Sequence, residues 1–397
     1  MSAAPTLRLA PLPPFLADPA LGAVLAALPE ARIVGGAVRD AVAGRPVADV
    51  DLATPRPPAD VIAALRAAGL KSSPTGIAHG TVTAIALHRG FEVTTLRHDL
   101  ATDGRHAVVA FTDDFREDAA RRDFTINAMS MTPDGEVFDH FGGIADLRAG
   151  RVRFVGDAAT RIAEDFLRIL RFFRFQARYG AGEPDAEAVA AIRAGVPGLA
   201  RLSAERVWSE WKRILAAPDP RAAVLLMAET GVLAATLPEG AAPDRLAALV
   251  GTGAPADPLL RLAALLDGDA AALAERLRLS TAEAALLAAL RAAPALPPAA
   301  TDDDLRRALA DTPREVLLGR AWLGGGDAGL LARLDAMAVP EFPLHGRDLK
   351  AAGMPPGPEL GTRLRELRAW WMAGGCMAGP EEVRAEMGRR LASPGPR

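Results

Sequence analysis

The sequence predicts an α+β fold in which an N-terminal sheet domain is followed by an irregular all-helical array, and two features of the chain carry that expectation. Up to about residue 155, short β-branched runs are separated by glycine turns, while beyond it Ala, Leu and Arg recur at helical spacing. No fixed period repeats in the helical part, which argues against a solenoid. At 397 residues with 50% hydrophobic and 24% charged content, the chain can bury several cores, and fibrous or mostly disordered classes are excluded.

Taken in order, the runs at 31–34, 48–52, 81–87, 91–96, 108–111, 128–132, 137–139 and 151–155 read as strands around one sheet. Pro133-Asp134-Gly135 supplies a hairpin turn between two of them. Helices are expected at 38–43 and 59–68, where Gly44 and Gly69 provide C-terminal stops. Farther on, Ser203 opens a helix over 204–215, and Ser280 with Glu283 and Thr301 with Asp304 have capping-box spacing. Prolines at 297–298 and 355–358 separate helical units. The expected organisation is a sheet domain over 1–155, a helical neck over 156–240 and a helical body and tail over 241–397.

The formal charge is −3, from 46 Lys plus Arg against 49 Asp plus Glu, so no global basic field points to a polyanion and any such partner has to meet a local patch. One patch is evident: residues 151–180 carry Arg151, Arg153, Arg161, Arg168, Arg171, Arg174 and Arg178 against Asp157, Glu164 and Asp165. The single cysteine, Cys376, can make no intramolecular disulfide and suits a reducing cytosol. His79, His88, His98, His106, His140 and His345 show no metal-ligand spacing. Prolines interrupt the N-terminal segment before any signal-like apolar run, and no membrane-spanning stretch exists, so the expected location is cytoplasmic.

Three constellations can carry chemistry. Ile33-Val34-Gly35-Gly36-Ala37-Val38-Arg39 runs from an apolar strand through two glycines into a helix with an arginine in its first turn. Glycines admit a polyanion to the backbone, a helix start offers N–H groups and Arg39 adds a forked cation; the same pattern also describes an ordinary turn. In Asp49-Val50-Asp51-Leu52 two aspartates stand at i and i+2 of an expected strand and leave one face, while Val50 and Leu52 take the other. Such a pair is either two solvated acids or a hard oxygen donor set for one or two Mg²⁺ ions. Glu164-Asp165-Phe166-Leu167-Arg168 sets an acid and an arginine at i and i+3 of an expected helix, either as a salt bridge or as a pair facing a ligand. Arg171 extends that face by another i+3, whereas Arg174 falls about half a turn from Asp165 on an ideal helix.

Taken together, these segments resemble a known family. GGAVRDAVAGRPVADVDLAT at 35–54 resembles the glycine and metal motif of the class II tRNA nucleotidyltransferase and poly(A) polymerase family, within the DNA-polymerase-β-like nucleotidyltransferases. GRHAVVAFTDDFREDAARRDFTINAM at 104–129, RIAEDFLRILRFFRFQARYG at 161–180 and LSAERVWSEWKRIL at 202–215 are similar to its later blocks, in the same order. The resemblance spans roughly residues 30–215, and 345–371 is more loosely similar to the tail of bacterial members.

The resemblance implies a polymerase-β-like nucleotidyltransferase head, a neck that recognises the nucleotide base, and a body and tail that bind tRNA. Asp49 and Asp51 would then hold Mg²⁺, with Glu92, on the strand face opposite Phe91 and Val93, as a third carboxylate. Gly36 and Arg39 would hold the triphosphate, and Arg122, Asp123 and Asn127 would contact sugar and phosphates. Asp165 and Arg168 would read the base, the acid accepting from the exocyclic amine of C or A and the arginine donating to the adjacent ring acceptor. G and U present a carbonyl to the acid instead and leave polar groups unpaired. Arg171 and Arg174 would be further ligands of the incoming nucleotide. In the tail, the Gly/Pro segment 353–358 before Arg363, Arg365 and Arg368 either seats an RNA phosphate or opens a packing helix.

The implied activity is template-independent addition of CMP and AMP to the 3′ end of tRNA from CTP and ATP, with release of pyrophosphate. An ATP-only poly(A) polymerase is the alternative within the class; the segment 69–76 lacks the basic Gly-Arg-Arg-Phe-type sequence of its proteobacterial members. An enzyme adding only CC or only A shares the same motifs. A non-catalytic RNA-binding relative would need the arginines but not the carboxylate pair. No protein partner and no membrane contact are implied.

Overall fold

Strand alternation builds the centre of the N-terminal half. The computed structural model describes residues 4–102 and 107–392; His106 lies outside them. Its strands are β1 (Leu7–Arg8), β2 (Arg32–Val34), β3 (Asp51–Thr54), β4 (Lys71–Gly76), β5 (Thr81–Ala86), β6 (Arg89–Thr95), β7 (Arg97–Thr102), β8 (Ala107–Phe111), β9 (Met129–Met131) and β10 (Glu136–Asp139). Eight of them form one sheet in the order β1-β10-β9-β2-β3-β6-β5-β4, and β7 and β8 pair in a separate ribbon. Within the sheet β3 and β6 run parallel, with Asp51 opposite Glu92.

The two faces of the sheet divide the labour. Ile33, Leu52, Val82 and Val93 point to one side, where α1 (Pro19–Ala27) supplies Leu21 and Val24; α2 (Gly36–Val42) follows β2, and α3 (Pro58–Ala67) supplies Val61 and Leu65 to the same core. Val34, Ala53 and Leu96 point to the other side, against Phe115 of α4 (Phe115–Ala120). Asp51 shares the face of Ala53 by alternation, and Glu92 alternates with the buried Phe91 and Val93.

Several expectations are corrected. The sheet is joined by a second ribbon, so the strands are not all in one sheet. Residues 151–155 form no strand: Phe154 makes a single bridge to Phe124. The strand expected at 48–52 begins only at Asp51, because its partner β2 ends at Val34, opposite Asp51, where Gly35 turns the chain away. Asp49 therefore lies in the exposed segment before β3 and not at its i−2 position on a shared face. Strand β4 was unexpected because it contains Pro74, which an edge strand tolerates.

The helix expected to run through Asp165 and Arg168 is broken between them. Helix α5 (Gly143–Arg148) is followed by α6 (Ala158–Glu164), which stops at Asp165, a residue in extended conformation at φ −156° and ψ 108°. Helix α7 (Leu167–Tyr179) restarts beyond it. Phe172 of α7 stacks on Phe154 with ring centroids 6.1 Å apart, and Phe154 lies 4.8 Å from Phe124, so an aromatic column fixes α7 against the segment leading to Asn127. Helices α8 (Ala186–Gly195) and α9 (Ala204–Leu215) complete the packing, with Trp208 and Trp211 of α9 buried.

By its contacts the chain divides into two units, Met1–Pro238 and Glu239–Arg397. The second is helical, and its capping boxes at Ser280 with Glu283 and Thr301 with Asp304 are both formed. Trp371, Leu349 and Val383 centre a core in its last three helices. The tail arginines have local partners: Arg363 pairs with Glu366, Arg365 bonds Thr362, and Arg368 bonds Asp311, which favours the packing-helix reading of that segment over a phosphate seat. Among the described residues no helix is long and apolar enough to cross a membrane.

Candidate active site

The glycine turn, the start of β3 and helix α7 meet at a cavity of about 670 Å³. Gly35 caps α2 at φ 68° and ψ −126°, a conformation that disfavours any side chain. A Cβ placed there would also sit 2.9 Å from Nη1 of Arg122, so the turn needs glycine both for its backbone and for the arginine against it. Gly36 then begins α2 and Arg39 follows one turn on. Arg39 donates to Asp40 through Nε at 3.1 Å and Nη2 at 2.9 Å, and to Asn127 through Nη1 at 2.7 Å.

Asp51 lines the same cavity. Burial first, then the neighbouring charges of Glu92 and Asp49, push its carboxyl above the ordinary carboxylate range, against the opposing pull of Arg122. The carboxylates gathered around Asp51, hard oxygen donors at one edge of an otherwise arginine-lined cavity, suit a divalent cation. Among the described residues no three acidic, histidine or cysteine side chains converge closely enough to cage an ion by themselves. Asp49 and Glu92 act on Asp51 through charge but do not line the cavity.

The Arg121–Asn127 stretch is an organised network instead of the solvated charge cluster its sequence also allows. Asp118, 3% exposed, receives Arg121 Nη2 at 2.7 Å and Arg122 Nη2 at 3.0 Å. Asp123, 8% exposed, accepts from the Phe124 N–H, from Asn127 Nδ2 and from Arg171 Nε. Burial raises the cost of its charge, yet Arg171, Asn127 and the Phe124 N–H together hold its carboxyl below the ordinary range. Both Asp123 and the amide oxygen of Asn127 thus have protein partners, which makes them organisers of neighbouring arginines as well as candidate sugar contacts.

Asp165 and Arg168 both line the cavity but are not paired with each other. Asp165 accepts from the Leu167 N–H at 3.0 Å and from Arg206 Nη2 at 2.7 Å. Arg168 bonds Glu164 and the carbonyl of Arg161 through Nη1. The break in the helix explains this: Asp165 belongs to neither helix, so helical spacing does not govern it. It also removes the reason to separate Arg174 from Arg171, and both line the cavity. Arg174 donates to Glu210 at 3.1 Å, and burial, followed by the charge of Arg171, pushes it down to about 10, still protonated at neutral pH.

Except for Asp49 and Glu92, every residue that the family resemblance implied for the metal and nucleotide site lies on this cavity. Arg97, Arg121 and Arg206 line it too and were not anticipated as site residues. Arg206 was within reach, since it stands four residues before Glu210 on α9 and so shares the face that carries Arg174's partner. Of the basic patch only Arg168, Arg171 and Arg174 line the cavity: Arg151 and Arg153 both pair with the buried Asp146, Arg161 pairs with Glu164, and Arg178 lies off it.

Residues 31–153 match the family profile described as the Poly A polymerase head domain, and 183–242 match the probable RNA and SrmB-binding site of polymerase A. A fold with this head and a basic cavity beside its glycine turn defines a nucleotidyltransferase class. The chain is 38% identical over 361 residues to CCA tRNA nucleotidyltransferase 1, mitochondrial, of Danio rerio, covering 86% of this chain and 83% of that protein. With the Homo sapiens protein of the same name it shares 36% identity, covering 89% and 85%. Among solved structures it is similar to the CCA-adding enzyme of Bacillus stearothermophilus in complex with CTP, at 27% identity and a TM-score of 0.72, covering 94% of this chain and 98% of that one. The chain belongs to the tRNA nucleotidyltransferase and poly(A) polymerase family.

Proposed function

We propose that this chain is a metal-dependent, template-independent nucleotidyltransferase that adds CCA to the 3′ end of tRNA from CTP and ATP and releases pyrophosphate. The observation that carries the reading is the convergence in one cavity of Asp51, the Gly35–Gly36 turn with Arg39, and Asp165 with Arg168. Relatives named as CCA tRNA nucleotidyltransferases over most of the chain support it.

Asp51, assisted by Asp49, would hold Mg²⁺, and Glu92, opposite Asp51 in the sheet, adds negative charge beside it. Bound there, Mg²⁺ supplies activation of the RNA 3′-hydroxyl and neutralises charge on the α-phosphate and the leaving pyrophosphate. Arg39 and Arg122 flank the glycine turn and suit the triphosphate, whose oxygens would accept from the guanidinium N–H groups not used by Asp40, Asn127 and Asp118. Asp123 and Asn127 hold the sugar end of the cavity through the arginines they orient, Arg171 and Arg39. Asp165 accepts from the exocyclic amine of C or A, and Arg168, anchored through one nitrogen by Glu164, donates to the adjacent ring acceptor from its remaining N–H groups. Arg171 and Arg174 complete the nucleotide site. The same reading divides the chain into a head over 1–155, a neck over 156–240 and a tRNA-binding body and tail over 241–397, in a cytoplasmic protein whose one cysteine, Cys376, is buried.

The test is extension of a tRNA ending at its discriminator base with CTP, ATP and Mg²⁺, resolved on a sequencing gel. Addition of C, C and A followed by arrest is expected. An unbounded A tail, arrest after two C, addition of A alone, or no incorporation would each refute full CCA addition.

A further inference from the structure

Arg39 is held by more than the nucleotide it is read to bind. Its guanidinium donates to both oxygens of Asp40 and, on its other arm, to Asn127 at 2.7 Å. Asp40 in turn accepts from the hydroxyl of Tyr179, the chain's one tyrosine, 8% exposed at the C-terminal end of α7. The Arg39 guanidinium also lies 4.5 Å from the centre of the Tyr179 ring and 5.3 Å from that of Phe175. On the far side, Asn127 donates to Asp123, and Asp123 accepts from Arg171, two turns before Tyr179 on the same helix. The bonds close a circuit: from α7 through Asp123 and Asn127 to Arg39, and through Asp40 and Tyr179 back to α7.

We propose that Tyr179 and Asp40 are positioning residues that fix Arg39 for the triphosphate and lock it to the helix that carries Arg171 and Arg174. The circuit explains features the nucleotide contacts alone do not. A phosphate-binding arginine needs neither an adjacent carboxylate nor a buried aromatic shelf, and each would weaken its hold on an anion unless orientation were the gain. Charge-assisted bonds on two sides and two rings leave the guanidinium little rotational freedom, so the ordering cost on nucleotide binding is met in advance. Because the circuit runs through α7, it ties Arg39 to the helix that carries Arg168 and Arg171.

The inference rests on the reading of Arg39 as a triphosphate ligand, and the experiment separates the two. Steady-state kinetics are measured for wild type, Arg39→Ala, Tyr179→Phe, Asp40→Asn and the double variant Arg39→Ala/Tyr179→Phe. Tyr179→Phe keeps the ring and removes one charge-assisted bond, so KM for CTP and for ATP should rise together by about tenfold, with KM for tRNA unchanged. Asp40→Asn should act in the same direction. In the Arg39→Ala background Tyr179→Phe should have little further effect, because its target is gone. Equal effects of Tyr179→Phe in both backgrounds, or an unchanged nucleotide KM, would overturn the positioning role while leaving Arg39 a phosphate ligand. If Arg39→Ala itself leaves nucleotide KM unchanged, the phosphate reading fails and the positioning role with it. An independent readout comes from the single tyrosine: protein labelled at the ring Cε positions beside the hydroxyl gives one NMR signal, which should shift on adding CTP and stay fixed in Arg39→Ala. A signal unmoved by CTP in the wild type would contradict the proposal.

Discussion

Asp123→Asn keeps the shape of a buried side chain and removes the charge that faces Arg171. The Asp123 side chain is 8% exposed, and three donors converge on it: Arg171 Nε at 2.7 Å, the Phe124 N–H at 2.9 Å and Asn127 Nδ2 at 3.1 Å. Removing one member of a buried ion pair costs about 3–5 kcal/mol; since the Arg171 side chain retains 31% exposure, water recovers part of this and about 2–3 kcal/mol is expected. For a unit of this size that lowers Tm by about 5–10 °C. The loss depends on pH in a defined direction. The folded protein holds the Asp123 carboxyl below its ordinary value of about 3.9, so its contribution is complete above the unfolded value and disappears as pH falls through the lower folded value. Differential scanning calorimetry should therefore show the full Tm gap between wild type and Asp123→Asn at pH 7 and a smaller one near pH ~3. Equal gaps at the two pH values, or no gap at pH 7, would refute the assignment of Asp123 as a charged anchor for Arg171.

Other perturbations probe separate parts of the cavity. Gly35→Ala forces a side chain into a φ of 68° and against Arg122 Nη1, so a stability loss of about 1–3 kcal/mol by denaturant titration and a raised nucleotide KM are expected; wild-type behaviour in both would contradict the turn's role. Asp51→Asn should lower kcat by at least about 10³-fold without lowering Tm. Burial and like charges raise the Asp51 carboxyl, so its ionised form opposes folding at neutral pH and neutralising it cannot destabilise on that account; a marked drop in Tm would count against this. Arg206→Ala releases Asp165, and misincorporation of UTP or GTP, measured by primer extension on tRNA, should rise by about tenfold. Fidelity equal to wild type would remove Arg206 from the account.

Much of the cavity was legible because its residues sit in short blocks whose chemistry is local. Gly35-Gly36 with Arg39, and Arg121-Arg122-Asp123 with Asn127, each need one turn and one adjoining helix, and the structure forms both. What was not legible depends on which residues pair across the chain. The strand at Asp51 starts where β2 stops being available, a boundary set by Gly35 some sixteen positions away in the chain and invisible in the alternation of Asp49-Val50-Asp51-Leu52. The expectation that Asp165 and Arg168 share one helix face fails because no local signal marks the break at Asp165; α6 and α7 pack separately, with Phe166 against Gly198, where a Cβ would sit 2.1 Å from the ring. Asp118 was overlooked although it stands three and four residues before Arg121 and Arg122, the spacing of helical ion pairs. The capping boxes of the second unit, by contrast, depend on four consecutive residues and form as their spacing predicts.

A structure of the protein with CTP and Mg²⁺ tests the central claim, that this one cavity binds and reads the incoming nucleotide. The account expects the triphosphate against the Gly35–Gly36 turn and Arg39, the α-phosphate beside Asp51, and the cytosine amine on Asp165 with its ring acceptor on Arg168. A triphosphate bound outside the cavity, or a base that touches neither Asp165 nor Arg168, would contradict it.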